Sequence, residues 1–138
     1  MPSKIQMYSD GGARGNPGPA AIGVVICDAH GEILREHGET IGPTTNNVAE
    51  YTAVIVGLAM ALELKASEID YYVDSELVAK QVTGKYKVKA PHIQKLCQEV
   101  LRRMTGFKRV TFRHVPREHE KIKIADKLVN EALDDAGH

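Results

Sequence analysis

Four acidic residues, Asp10, Glu50, Asp74 and Asp126, stand where a charge is locally awkward. Asp10 and Asp74 end the apolar runs Ile5–Asp10 and Ile69–Asp74, Glu50 opens a stretch with no further charge before Glu63, and Asp126 opens the last helical pattern. An ionised carboxylate is costly to bury unless a cation or hydrogen bonds compensate it. Four at element ends suggest one shared site for a hard divalent metal. Oxygen ligands without histidine or thiolate select Mg²⁺ or Mn²⁺ over zinc. Two such ions about 3.5–4 Å apart can activate water and stabilise the leaving oxygen of an in-line displacement, which points to a phosphate ester as substrate.

The elements that must position these acids can be read from the periodicity. Residues 4–10, 21–28 and 31–41 read as three strands, with Asp28–Gly31 a hairpin turn. The Gly/Pro-rich stretch Gly11–Pro19 is expected to be loop. A helix over roughly 46–65, capped by Thr45 or Asn46, has apolar residues all round and is expected to be buried. A strand at 69–74, helices at 75–82 and 91–104, and a strand at 110–115 follow. A final helix covers 122–135 with the stripe Ala125, Leu128, Val129 and Ala132. The order β-β-β-α-β-α-α-β-α predicts an α/β sandwich around a mixed sheet.

The chain has 138 residues, 43% hydrophobic and 26% charged, which suits one domain over residues 1–138. No apolar run reaches the roughly 20 residues that span a bilayer, and the start lacks the apolar core of a signal peptide. A cytoplasmic monomer with no obligate protein partner is the expectation. Cys27 and Cys97 are read as buried reduced thiols. Net charge is zero, but residues 1–79 balance at 4 − 11 = −7 and residues 80–127 at 14 − 4 = +10. That asymmetry suits a polyanion-facing surface beside an acidic centre, and equally a solvated basic face.

Tyr8–Ala20 (Tyr-Ser-Asp-Gly-Gly-Ala-Arg-Gly-Asn-Pro-Gly-Pro-Ala), Thr45–Glu50 (Thr-Asn-Asn-Val-Ala-Glu), Val73-Asp74-Ser75 and Ala125–Asn130 resemble type 1 ribonuclease H, in the right order over nearly the whole chain. The resemblance implies a ribonuclease H-like three-layer fold, with a five-stranded mixed β-sheet flanked by helices. It implies Mg²⁺-dependent endonucleolytic cleavage of the RNA strand of RNA–DNA hybrids, leaving 5′-phosphate and 3′-hydroxyl ends. Two ions, with Mn²⁺ as a substitute, would be held by Asp10, Glu50, Asp74 and Asp126. Gly11, Gly12, Asn16, Asn46 and Asn47 would lie along the hybrid's minor groove, and Thr45 would meet a DNA phosphate. Glycines let a backbone approach closely, and asparagines can donate to and accept from 2′-hydroxyls.

Two segments depart from the family's pattern. Lys85, Lys87 and Lys89 alternate around Tyr86 where some relatives carry a longer basic protrusion; they read as substrate contacts or as a solvated loop. The run Arg117–Asp126 is about two residues longer than in similar relatives, and Ile122 stands where an asparagine would cap the last helix. Losing that cap would cost about 1 kcal/mol and shift or fray the helix start. His119 is the candidate for the auxiliary group that relatives carry before the last aspartate, with Glu118 and Glu120 competing. A silent hybrid-binding module on the same fold is disfavoured by the presence of all four acids, and a metal-dependent small-substrate phosphatase by the asparagines and the basic surface.

Overall fold

The computed structural model describes residues 3–138. Its sheet is built outward from β1 (Lys4–Ala13), which pairs antiparallel with β2 (Gly18–Asp28) on one side and parallel with β4 (Glu68–Val73) on the other. β3 (Ile33–Thr44) and β5 (Arg109–His114) form the edges, giving the order β3-β2-β1-β4-β5. The helices are α1 (Asn46–Glu63), α2 (Glu76–Val82), α3 (Pro91–Met104) and α4 (Glu120–Asp135).

Alternation along each strand decides which layer a side chain joins. Ile5 and Met7 of β1, Val24 and Ile26 of β2 and Ile69 and Tyr71 of β4 face one way, into the main core with Tyr51, Val54 and Leu58 of α1 and Ile93, Cys97 and Val100 of α3. Tyr8, Val25 and Cys27 face the other way and meet Ile122 and Ala125 of α4. Three layers result, with the sheet between α4 and the remaining helices, as the element order predicts. Full burial of a large aliphatic side chain such as Ile122 contributes roughly 1.5–3 kcal/mol.

Three local expectations need correction. Gly11–Ala13 and Gly18–Ala20 belong to β1 and β2, so the loop shrinks to Arg14–Pro17. Glycine is required in the strand at position 11 because α1 packs against it, and at position 18 because the Arg14 carbonyl of the turn lies against it. α1 is not buried all round: it packs one side on the sheet and leaves Leu62 56% exposed. The last helix begins at Glu120 rather than at Ile122, and it does not lack a cap. His119 replaces the missing asparagine, its Nδ1 accepting from the Lys121 backbone N–H at 3.1 Å.

Candidate active site

Parallel register brings the first two acids together. β1 and β4 pair through Ser9 and Val73, so Asp10 and Asp74 are the next residues of neighbouring strands at one sheet edge. Glu50 arrives from the second turn of α1, whose N-cap Thr45 accepts from Val48 N–H at 3.3 Å. That helix can come close only because position 11 is glycine. A Cβ on Gly11 would lie 2.3 Å from the Ala49 carbonyl and 2.6 Å from the Glu50 nitrogen. Asp126 comes from α4, which is seated in the same manner: a Cβ on Gly23 would lie 2.1 Å from the Ala125 carbonyl oxygen. Gly23 pairs with Asp10 in the sheet, so this close approach is one strand away from the first acid.

Asp10, Glu50 and Asp74 each offer a carboxylate oxygen within 4.8 Å of the others. Asp126 lines the same cleft, about 570 Å³, together with Gly11, Gly12, Asn46 and Arg117. Burial and the charges of Asp74, Glu50 and Asp126 push Asp10 up to about 8. Burial likewise pushes Glu50 up to about 7, against the relief given by the Ser75 hydroxyl and Arg117. Asp74 is raised by burial, although its own backbone N–H and Arg117 oppose this. Without a cation, burial and neighbouring charge therefore favour the neutral carboxyl at Asp10 and, less strongly, at Glu50. An all-oxygen donor set with surplus negative charge fits a hard divalent ion.

The loop beside the acids is tied to α1 by its asparagines. Asn16 Oδ1 accepts from the Asn46 backbone N–H at 3.0 Å, and Asn46 Oδ1 accepts from Ala13 N–H at 2.8 Å. Arg14 clamps the turn to α4 through Asp134 at 2.7 Å and the Asn130 side-chain oxygen at 3.2 Å. Asn47 sits half-buried in the first turn, and its Oδ1 is a buried oxygen without a partner.

Other candidates lie away from the cleft. Lys85, Lys87 and Lys89 are exposed on the segment after α2, which is pinned by Lys85 and Tyr86 N–H groups donating to the Lys80 carbonyl. Glu118, His119 and Glu120 do not line the cleft; Glu120 faces Lys121 at 3.7 Å. The loop residue that does is Arg117, which the sequence reading passed over. Its signal was its position: it follows Pro116 just after β5, the strand beside the one that ends at Asp74.

Residues 8–132 match a family model described as reverse transcriptase-like. The chain is 43% identical over 133 residues to ribonuclease HI of Halobacterium salinarum, covering 96% of this chain and 66% of that protein. The crystal structure of that archaeon's RNase H1 matches with a TM-score of 0.92, at 42% identity over 96% of this chain and 98% of that one. A bifunctional protein of Mycobacterium tuberculosis is 42% identical over 134 residues, 96% of this chain but 36% of its own length. The chain thus spans about a third of the mycobacterial relative and two-thirds of the halobacterial one. LC11-RNase H1, whose crystal structure is a complex with an RNA/DNA hybrid, matches with a TM-score of 0.90, at 43% identity over 97% of this chain and 99% of that one. With its acids gathered at one sheet edge and its sequence matched from β1 through α4, this chain belongs to the type 1 ribonuclease H family.

Proposed function

We propose that this chain is an endonuclease that hydrolyses the RNA strand of RNA–DNA hybrids, leaving 5′-phosphate and 3′-hydroxyl ends. The observation that carries this reading is the convergence of Asp10, Glu50 and Asp74 within 4.8 Å, with Asp126 in the same cleft. Asp10, Glu50, Asp74 and Asp126 would hold two Mg²⁺ ions, for which Mn²⁺ can substitute. When bound, such ions supply Lewis-acid stabilisation for in-line displacement at phosphorus. Asp10 and Glu50, whose burial favours the neutral carboxyl without a cation, would have to be ionised to serve as ligands.

The remaining residues grip and align the substrate. Gly11 and Gly12 line the cleft, Gly11 buried beneath α1 and Gly12 half-buried, and would let the hybrid approach the backbone there. The amide oxygens of Asn16 and Asn46 each accept one N–H within the protein, which leaves their NH₂ groups to face the hybrid as donors. Donors suit 2′-oxygens and the acceptors of the minor groove, which occur at every base pair. The reading is therefore of a hybrid's shape and sugar rather than its sequence. The Thr45 hydroxyl accepts from the backbone yet keeps its proton to donate to a DNA phosphate. Lys85, Lys87 and Lys89 supply screened attraction to the backbone further away. Arg117, which stabilises the ionised forms of Glu50 and Asp74, is placed to meet a phosphate entering the cleft.

The protein would act as a monomer in the cytoplasm, where its two buried, unpaired cysteines stay reduced. No helix of the described residues is long and apolar enough to cross a membrane. A panel of one sequence as hybrid, duplex RNA, duplex DNA and single-stranded RNA tests the activity, each assayed in Mg²⁺ and in EDTA. Cleavage confined to the RNA of the hybrid, lost in EDTA, is expected. Hybrid shifted in a gel but uncut in both Mg²⁺ and Mn²⁺ would instead mark a silent binding module.

A further inference from the structure

His119, Tyr8 and Tyr72 form a three-ring stack on the α4 side of the sheet. Tyr8 and Tyr72 are sheet partners, with ring centroids 4.9 Å apart and planes 15° from parallel. His119 lies on Tyr8 at 5.1 Å and 28°, and 6.5 Å from Tyr72 at 13°. The same imidazole caps α4 through Nδ1. Each ring is tied to one acid by the periodicity of its own element. Tyr8 precedes Asp10 by two residues on β1, and Tyr72 precedes Asp74 by two at the end of β4. His119 caps α4 and precedes Asp126 by seven residues, about two helical turns. Three elements that carry three of the four acids are therefore locked together, two residues from Asp10 and Asp74 and about two helical turns from Asp126. Further along α4, Gly23 and Gly38 form a sheet pair against which Ala125 and Leu128 rest, so the helix has no room to settle lower.

We propose that this stack sets the rotation and start of α4, and that His119 is a positioning residue for Asp126 rather than a mobile group acting on substrate or product. The proposal rests on the reading of Asp126 as a member of the site. Its two contacts are separable by substitution: His119→Phe keeps a stacking ring and loses the cap, His119→Asn keeps a capping acceptor and loses the ring, and His119→Ala loses both.

The test is calorimetric titration of each folded variant with Mg²⁺ alone, alongside kcat and KM for a hybrid across Mg²⁺ concentration and pH. For His119→Ala, Mg²⁺ binding roughly tenfold weaker is expected, with KM for the hybrid unchanged. Its kcat falls by a similar factor at limiting Mg²⁺ and recovers at high Mg²⁺, and the pH profile keeps its shape. Phe and Asn should each restore part of the affinity, and they carry the comparison if the Ala variant is too unstable to purify. Wild-type Mg²⁺ affinity in all three would overturn the proposal. So would an equal loss of kcat in all three with an altered pH profile, because that marks proton transfer by the imidazole itself. Asp126→Asn is the control: if it binds Mg²⁺ and cleaves as wild type does, the assignment of Asp126 fails, and the role of His119 fails with it.

Discussion

Replacing Asp10 by Asn should stabilise the metal-free protein, by an amount that grows with pH. Asp10 is held near 8 in the folded state by burial and three carboxylate neighbours, against an ordinary value of 3.8. A folded-state value raised in this way makes a contribution fully present below the unfolded value and lost as pH rises through the folded one. Asparagine matches the neutral carboxyl in shape and has no proton to lose. The two proteins should therefore be close in stability near pH 4 and diverge above it. At pH 7 the medium lies about three pH units above the unfolded value, and each unit is worth about 1.4 kcal/mol, an upper bound of about 4 kcal/mol. Water in the open cleft and rearrangement of the neighbouring acids reduce this to roughly 2 kcal/mol. Urea unfolding followed by circular dichroism in EDTA, from about pH 4 to pH 8, measures the difference directly. Saturating Mg²⁺ should reverse the order, because only the wild type gains full binding energy from the metal. A difference that does not change with pH, or an Asn variant less stable than wild type in EDTA at pH 7, would refute the electrostatic account of the cluster.

Gly23→Ala places a methyl 2.1 Å from the Ala125 carbonyl oxygen and must lift α4; a loss of roughly 1–3 kcal/mol by thermal unfolding, with a larger proportional loss of kcat, is expected. Asn46→Asp keeps the acceptor for Ala13 N–H and removes the outward donor, so melting temperature should hold while KM for the hybrid rises; Asn46→Ala should in addition lose about 1 kcal/mol of stability. Changing Lys85, Lys87 and Lys89 together to Gln should leave kcat unchanged and flatten the salt dependence of log KM by up to about 2–3 units of slope.

Much of the site was legible because a charge at the end of an apolar run has few structural explanations. Asp10 and Asp74 follow from strand patterns, and the parallel pairing of β1 with β4 brings them together. Asp126 was legible as the head of an apolar stripe, although the true start of α4 was not. That start depends on a histidine acting as a cap, a role its propensity does not advertise and that stacking on Tyr8, 111 residues earlier, makes possible. Gly11–Ala13 was misread for a related reason. Glycine weakens a strand by propensity, yet the approach of Ala49 to within 2.3 Å of a would-be Cβ makes it the residue the strand requires. Asn16 and Asn46 each spend one acceptor site on a backbone N–H inside the fold, a structural use that residue type alone does not advertise. Arg117 had only its place after Pro116 and β5 as a signal, and the assembled cleft turns that place into a role.

The central claim, that gathered carboxylates make this chain a hybrid-cleaving nuclease, is tested most directly by single-turnover cleavage of a hybrid labelled on its RNA strand. Wild type and Asp10→Asn are compared in Mg²⁺ at enzyme concentrations above their measured Kd for that hybrid. The account predicts that the variant binds the hybrid within a few-fold of wild type and cuts it at least roughly a thousandfold more slowly. Cleavage by Asp10→Asn at the wild-type rate would contradict it.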